Sequence, residues 1–398
     1  MRKNGRQLKG ICMAAAALLC ITGCGQVSAS SAETEMESSM TEADNGGAEE
    51  SALTEETEAA ALAETDLKSS EGLEFKSNGD GTCTITGIGT CTDTDIVIPT
   101  ESPNGDTVTL IKEYAFSSLE DVDSITLLNY DYEVDKHAFQ YGEFTELNVI
   151  GGSPVIAASA FSSCEDLTLV IFRDCSIELG EYALFSCGKD ASVLFENCSG
   201  YIDKRAFQYG DLVSLTVRAC ELEIDDSAFS TCEALTSVVF EDSTIEMGEY
   251  AFFTCGDSAV VEMSGCSVVM DDRAFQYSSL SSLTITGEKA EMGDSVFSHC
   301  EDLTSVSIDC ASVVMGEYAF TGCEDLVSLS ICDNGNEDNE IELDDRVFQY
   351  CEELQTVVIG AGSITIGEYV FSDCEENLIV SVAGNQYTPG ALKEGFSQ

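Results

Sequence analysis

Apolar side chains in this sequence fall on a regular grid. An aromatic closing a short Ala-Phe-like pair returns at Phe116, Phe139, Phe161, Phe207, Phe229, Phe252, Phe275, Phe297, Phe320, Phe348 and Phe371, with Leu184 in the same place. The steps are 22 or 23 residues, with one of 28. Between these marks runs a stretch of alternating character. Val170 and Phe172 fall on one side of it, and Leu169, Ile171 and Arg173 on the other. That is the period of two that a half-covered β-strand requires. A corner written Gly-Glu-Tyr-Ala-Phe or Asp-Asp-Arg-Ala-Phe leads back, dropping its Phe into the interior. No single copy can cover its own apolar side, so copies must stack. The pattern predicts a mainly β or α/β solenoid of about 12 coils, with a parallel sheet along one face and both ends capped.

A longer rhythm overlies the first. Phe139-Gln140-Tyr141 recurs as Phe207-Gln208-Tyr209, Phe275-Gln276-Tyr277 and Phe348-Gln349-Tyr350, in steps of 68, 68 and 73 residues. The array therefore reads as duplicated three-coil modules, with the extra residues in a polar loop from Asp333 to Glu340. These Tyr lie three coils apart, roughly 15 Å. An exposed row of them can grip an extended protein or glycan, because Tyr supplies large amphipathic contact area; the alternative is that each ring only packs along its loop. Gln140, Gln208, Gln276 and Gln349 are the accompanying candidates. Outward strand positions such as Thr216, Arg218, Val239, Glu241, Ser305 and Ser307 offer a second possible contact face.

Outside the grid the chain changes. Arg2, Lys3, Arg6 and Lys9 precede an apolar run from Ile11 to Ile21, too short for a membrane span of about 20 residues. It has the form of an export signal. Ile21-Thr22-Gly23-Cys24 resembles the lipobox of bacterial lipoproteins, which implies cleavage after Gly23 and diacylglyceryl transfer to Cys24, with an ordinary secretory signal as the alternative. Residues 24–71 are rich in Ser, Thr and Glu and poor in large apolar groups, as expected of an extended acidic tether. Residues 72–110 are expected to form an N-terminal cap, 111–376 the repeats and 377–398 a C-terminal cap.

Two coils carry the stretch Leu167-x-x-Val170-x-Phe172-x-x-Cys175-x-Ile177 and Leu212-x-x-Leu215-x-Val217-x-x-Cys220-x-Leu222. Both match the leucine-rich-repeat pattern. The Gly-Glu-Tyr-Ala-Phe and Cys-Glu-Asp-Leu-Thr-Ser-Val blocks, with Asp80-Gly81-Thr82 and Ile96-Val97-Ile98-Pro99 ahead of them, resemble the BspA-type leucine-rich repeats of bacterial surface proteins over about residues 73–385. The resemblance implies a leucine-rich-repeat solenoid on the outer face of the cell membrane that acts as an adhesin or interaction protein.

Charge narrows the partners. The 17 Lys and Arg stand against 73 Asp and Glu, a formal net charge of -56. Such a surface repels nucleic acids and anionic lipid headgroups. The expected partner is a protein or glycan on a host or neighbouring cell, met by a monomer without cofactor. A structural spacer lacking any ligand, or an enzyme on envelope polymers, are the alternatives.

Catalytic chemistry finds little support. The two histidines, His137 and His299, occupy variable, exposed-looking corner positions, so no Ser/His/Asp or Cys/His set can be assembled. Most of the 19 Cys fall in register. Cys164, Cys187, Cys232, Cys255, Cys300, Cys323 and Cys374 follow the corner aromatic or its Leu184 equivalent, and Cys175, Cys198, Cys220, Cys266, Cys310 and Cys332 lie near strand ends. Buried thiols in narrow turns, disulfides between coils and metal ligation are all open. Cys83 and Cys91 bracket a possible hairpin and form the best single candidate disulfide. Paired acids at Asp225-Asp226, Asp271-Asp272 and Asp344-Asp345 are chemically able to hold Ca²⁺, although no EF-hand spacing is present.

Overall fold

The computed structural model describes residues 67–332, 336 and 338–397. They form a parallel-sheet β-solenoid of about 13 turns with almost no helix. Each turn contributes two strands. Leu212–Arg218 lies parallel between Ala191–Glu196 and Ser237–Glu241. Further along the same coil, Glu221–Ile224 lies parallel between Ser199–Ile202 and Thr244–Met247. Strand ladders therefore run along two faces where the sequence pattern predicted one. The shorter strand alternates Glu221 and Glu223 outward with Leu222 and Ile224 inward. In three consecutive coils the two strands merge into the continuous Ala259–Met270, Leu280–Met292 and Ser305–Met315.

The interior is a stack of aromatic rings. Phe207, Phe229, Phe252, Phe275 and Phe297 follow one another with centroids 4.7–5.1 Å apart and planes within 15° of parallel. Each ring pair contributes about 0.5–1.5 kcal/mol beyond the area it buries. Where Leu184 interrupts the stack, the facing strands supply Phe172 and Phe195, stacked at 4.8 Å, and Phe195 meets Phe207 edge-on. The aromatic volume is shifted across the coil and kept.

The corners are made of two left-handed residues flanking each Ala-Phe pair. Arg205 and Tyr209 have φ of 57° and 59°, and Tyr250 and Thr254 have 61° and 55°. This conformation costs a non-glycine residue roughly 1–2 kcal/mol. Hydrogen bonds between coils hold it: Phe207, Phe229 and Phe252 donate their N–H to the carbonyls of Ala228, Ala251 and Ala274 at 2.7–2.8 Å. The Gly opening each Gly-Glu-Tyr corner has a different reason. A Cβ on Gly180, Gly248, Gly316 or Gly367 would lie 2.6–2.8 Å from backbone of the coil before it.

Both ends close with antiparallel strands. Glu74–Ser77 covers Thr82–Gly87, which then runs parallel to Thr107–Ile111. At the far end Ile379–Val382 continues the ladder, and Asn385–Tyr387 and Phe396–Ser397 turn back on it. Such reversals blunt exposed edges that would otherwise pair with another chain. Ser70, expected in the tether, is buried instead. Its N–H donates to the Val97 carbonyl at 2.9 Å and its hydroxyl accepts from the Val97 N–H at 3.2 Å. The leader, Cys24 and the tether up to residue 66 lie outside the described residues, as does most of the loop at 333–337.

Candidate binding edge

The corner backbone sets two columns of side chains, one on each side of the buried Phe. The column after the Phe holds Tyr141, Tyr209, Tyr277 and Tyr350, which are 57%, 54%, 49% and 51% exposed. These rings project although they sit on the most constrained backbone in the coil, because the left-handed residue points away from the interior. Their main chains are pinned. The N–H groups of Tyr141, Tyr209, Tyr277 and Tyr350 donate to the carbonyls of Ser162, Ser230, Ser298 and Ser372 at 3.0–3.2 Å.

The Gln residues serve the same purpose and are not free contact groups. The Nε2 of Gln140, Gln208 and Gln276 donates to the buried hydroxyls of Ser162, Ser230 and Ser298 at 2.8–2.9 Å, and Gln349 donates to Asp373 at 3.2 Å. Each amide bonds to the next coil, and in the first three it meets the Ser whose carbonyl holds the neighbouring Tyr.

The column before the Phe carries a second set. Tyr182 is followed one coil later by Arg205, Tyr250 by Arg273, and Tyr318 by Arg346. Each guanidinium lies over the preceding ring, at 5.9, 5.8 and 5.7 Å from its centroid. Each also pairs with the Glu beside that Tyr: Arg205 with Glu181 at 3.4 Å, Arg273 with Glu249 at 3.0 Å, Arg346 with Glu317 at 2.8 Å. All are exposed enough that solvent weakens them, so each pair contributes under about 1 kcal/mol. Their effect is to fix ring orientation along the edge.

Two half-buried phenylalanines join the columns. Phe185 meets Tyr182 and Tyr209 edge-on at 5.2 and 5.6 Å, and Phe253 meets Tyr250 and Tyr277 at 5.3 and 5.9 Å. His299 lies 5.0 Å from Tyr277. The edge thus carries two like aromatic patches, three coils apart. Phe185, Phe253 and the Arg-Tyr pairs were not singled out from the sequence; their signal is the same three-coil rhythm that marked the Gln-Tyr coils.

Other candidates are accounted for locally. Asp225 caps the Asp226 N–H at 2.7 Å and accepts the Tyr201 hydroxyl, while Asp226 caps Glu249 at 3.1 Å. Asp271 caps Asp272, and Asp344 caps Asp345. Burial raises the Asp225 carboxyl, but Tyr201, the Asp226 amide and Lys204 outweigh it and hold it below the usual carboxylate value. Among the described residues no group of three or more His, Cys, Asp or Glu is placed to hold a metal ion. His137 is not freely exposed as its position suggested; it is half-buried, stacked on Tyr114 at 5.3 Å.

On the first strand face, Arg173 pairs with Glu196 and Arg218 with Glu241, both at 2.6 Å. Ile171 and Leu194 point outward by register yet are 1% and 4% exposed. Thr216, Val239 and Ser305 are half-covered and Ser307 is exposed. A cleft of about 400 Å³ opens at the last coil, lined by Tyr369, Asp373, Cys374, Glu375, Glu376 and Lys393 among others. It has no histidine in its lining. Burial pushes the Cys374 thiol up to about 12, and its S–H donates to the Phe348 carbonyl.

The cysteines of the described residues are all free thiols. Corner thiols donate to the Phe carbonyl of the coil before, as Cys232 does to Phe207 and Cys255 to Phe229, at 3.3 and 2.8 Å. Cys351, which also follows its Phe, does the same to Phe320. The proposed Cys83–Cys91 bridge is not formed. The hairpin that would bring them together does not exist, since the strand carrying Cys83 pairs with Glu74–Ser77 and Thr107–Ile111, and Cys83 donates to the Asp106 carbonyl at 3.4 Å.

The model of the BspA type leucine-rich repeat region matches in six copies, over residues 91–213, 200–327 and 341–385. The chain belongs to the BspA-type leucine-rich repeat family. Solved structures similar to it include a leucine-rich repeat protein from Bacteroides ovatus, 18% identical over 78% of this chain and 92% of that one, TM-score 0.29. A leucine-rich cell surface protein from Faecalibacterium prausnitzii is also 18% identical, over 74% and 88%, TM-score 0.30. A leucine-rich repeat protein of T. pallidum is 17% identical over 65% and 90%, TM-score 0.28. Among curated proteins none matches.

Proposed function

We propose that this BspA-type chain is a non-catalytic surface protein, lipid-anchored through Cys24, that holds an extended protein or glycan along its tyrosine edge. The observation that carries the reading is the exposure of Tyr141, Tyr209, Tyr277 and Tyr350 on backbone that is pinned to the next coil. Rigid aromatic rings lose little freedom on contact, which makes them effective anchors. The spacing of three coils suits a ligand that is itself extended. A net charge of -56 favours segments bearing Lys or Arg, or neutral sugars, over anionic polymers. The Arg-Tyr pairs already present show how a cation lies on this edge.

Protein and glycan arrays probed with the purified chain test the reading against a variant with all four Tyr changed to Ala. Half-exposed surface positions change stability little, whereas loss of aromatic anchors weakens capture by at least about tenfold. Equal capture by the variant removes the Tyr edge, and no selective capture by either chain favours the spacer. Export and anchoring are tested separately: a Cys24→Ser chain should be shed into the medium.

A further inference from the structure

A second thiol column lies where the first-face strands turn toward the second face. Cys175, Cys198 and Cys220 stand on three consecutive coils, and the residues after them, Ser176, Ser199 and Glu221, pair in register. In-register parallel neighbours lie roughly 4.8 Å apart, inside the Cα separation of about 4.4–6.8 Å that a disulfide spans. The Cys175 and Cys198 sulfurs are 3.6 Å apart. The Cys198 N–H donates to the Cys220 sulfur at 3.2 Å, and the Cys220 S–H is directed at the Arg218 carbonyl at 3.1 Å.

In this column two sulfurs lie in contact, although Cys198 and Cys220 also direct their S–H at backbone carbonyls, those of Glu196 and Arg218 at 3.3 and 3.1 Å. At the corners each S–H donates to a backbone carbonyl, and burial pushes Cys187, Cys232, Cys300 and Cys323 well up. At the strand ends Cys198 has sulfur on both sides. The neighbouring Cys175 and Cys220 sulfurs bias the Cys198 thiol below its usual value, while the contact with Cys198, together with burial, holds both neighbours up. The thiolate is the form that reacts, and of the three thiols Cys198 is the one biased toward it.

We propose that Cys198 and Cys175 form an oxidisable pair, in which the Cys198 sulfur is oxidised by hydrogen peroxide and Cys175 resolves the product. The Cys198 thiolate attacks one peroxide oxygen and the O–O bond breaks. Hydroxide leaves and takes the proton the thiol had lost, giving water and a sulfenic acid. The Cys175 sulfur then attacks the sulfenic sulfur, the S–O bond breaks, and hydroxide departs with the Cys175 proton as a second water. Two thiols and one peroxide give one disulfide and two waters. The bond links adjacent coils without leaving the ladder register, as an oxidising exterior favours.

The test uses the full-length chain. It is treated with hydrogen peroxide, its remaining thiols are blocked with N-ethylmaleimide, and it is digested without reduction for mass spectrometry. The expected product is a Cys175–Cys198 linked peptide, two hydrogens lighter than the free pair. In a Cys175→Ser chain the expected product is a dimedone adduct on Cys198, formed at least about tenfold faster than any on Cys232. The proposal is overturned if no linked peptide forms, or if the dominant link joins Cys198 to Cys220 or two corner thiols. The unsubstituted chain alone decides this, whatever the variant's folding.

Discussion

Interior and edge are laid on the same corner backbone but repeat at different intervals. Inside, a ring returns once per coil, and each stacks on the next at 4.7–5.8 Å along most of the array. Outside, the column before the Phe runs Tyr182, Arg205, Ser227 and then Tyr250, Arg273, Ser295, while Tyr209 and Tyr277 keep the same beat on the other side. Stacking alone requires only the one-coil repeat. A three-coil repeat carried by exposed positions, with Gln208 and Gln276 placed to hold the rings, is information the core does not need. It is what a surface tuned to something outside the molecule would show.

The comparison breaks first at the spine. Phe229→Ala should cost about 3–5 kcal/mol, and denaturant unfolding should lose its single transition because the array is cut near its middle. A close second is the junction of the two faces within the continuous strand Leu280–Met292. Gly287 has φ of 141°, and a Cβ there would lie 2.1 Å from the Cys266 carbonyl. Gly287→Ala should cost at least about 2 kcal/mol on the same measurement.

On the edge the expected losses shrink. Arg273→Ala removes the contact over Tyr250 and the pair with Glu249, and should cost about 1 kcal/mol or less. Tyr277→Ala should cost under about 0.5 kcal/mol while weakening capture. A stability loss for Tyr277→Ala equal to that for Phe229→Ala would erase the distinction between spine and edge.

The smallest effect concerns pH. The Asp225 carboxyl is held below its ordinary value of 3.8. Its contribution is therefore fully present above that value and is lost as pH falls through the lower folded value. In denaturant titrations from about pH 6 to pH 3, Asp225→Asn should flatten the acid limb and leave the neutral plateau parallel to that of the unsubstituted chain.

The Phe spine and the cysteine register were legible because each rests on a residue recurring at one fixed interval. The second strand ladder was not. Its whole signal is two apolar residues, Leu222 and Ile224 or their equivalents, which also read as the tail of the first stretch. The exposed Tyr column was legible from Phe-Gln-Tyr, but the work of the Gln was not. Gln208 meets Ser230 only because stacking brings residues 22 positions apart into contact. Likewise Arg205 and Tyr182 are both visible in the corner motifs, and only coil register places one over the other. The Cys83–Cys91 expectation failed because it assumed a hairpin with the segment after Cys83, while the strand holding Cys83 pairs with Glu74–Ser77 before it and with Thr107–Ile111 more than 20 residues on.

The most direct test of separate interior and surface periods compares two deletions. One removes residues 228–295, a three-coil module, and joins Ser227 to Val296. The other removes residues 228–250, a single coil, and joins Ser227 to Ala251. Unfolding and array capture are measured on both. The account predicts that both fold cooperatively, since each keeps the spine continuous, but that only the three-coil deletion keeps selective capture, because the single-coil deletion parts Arg273 from Tyr250 and Gln208 from Ser230. Equal capture by the two chains would contradict it.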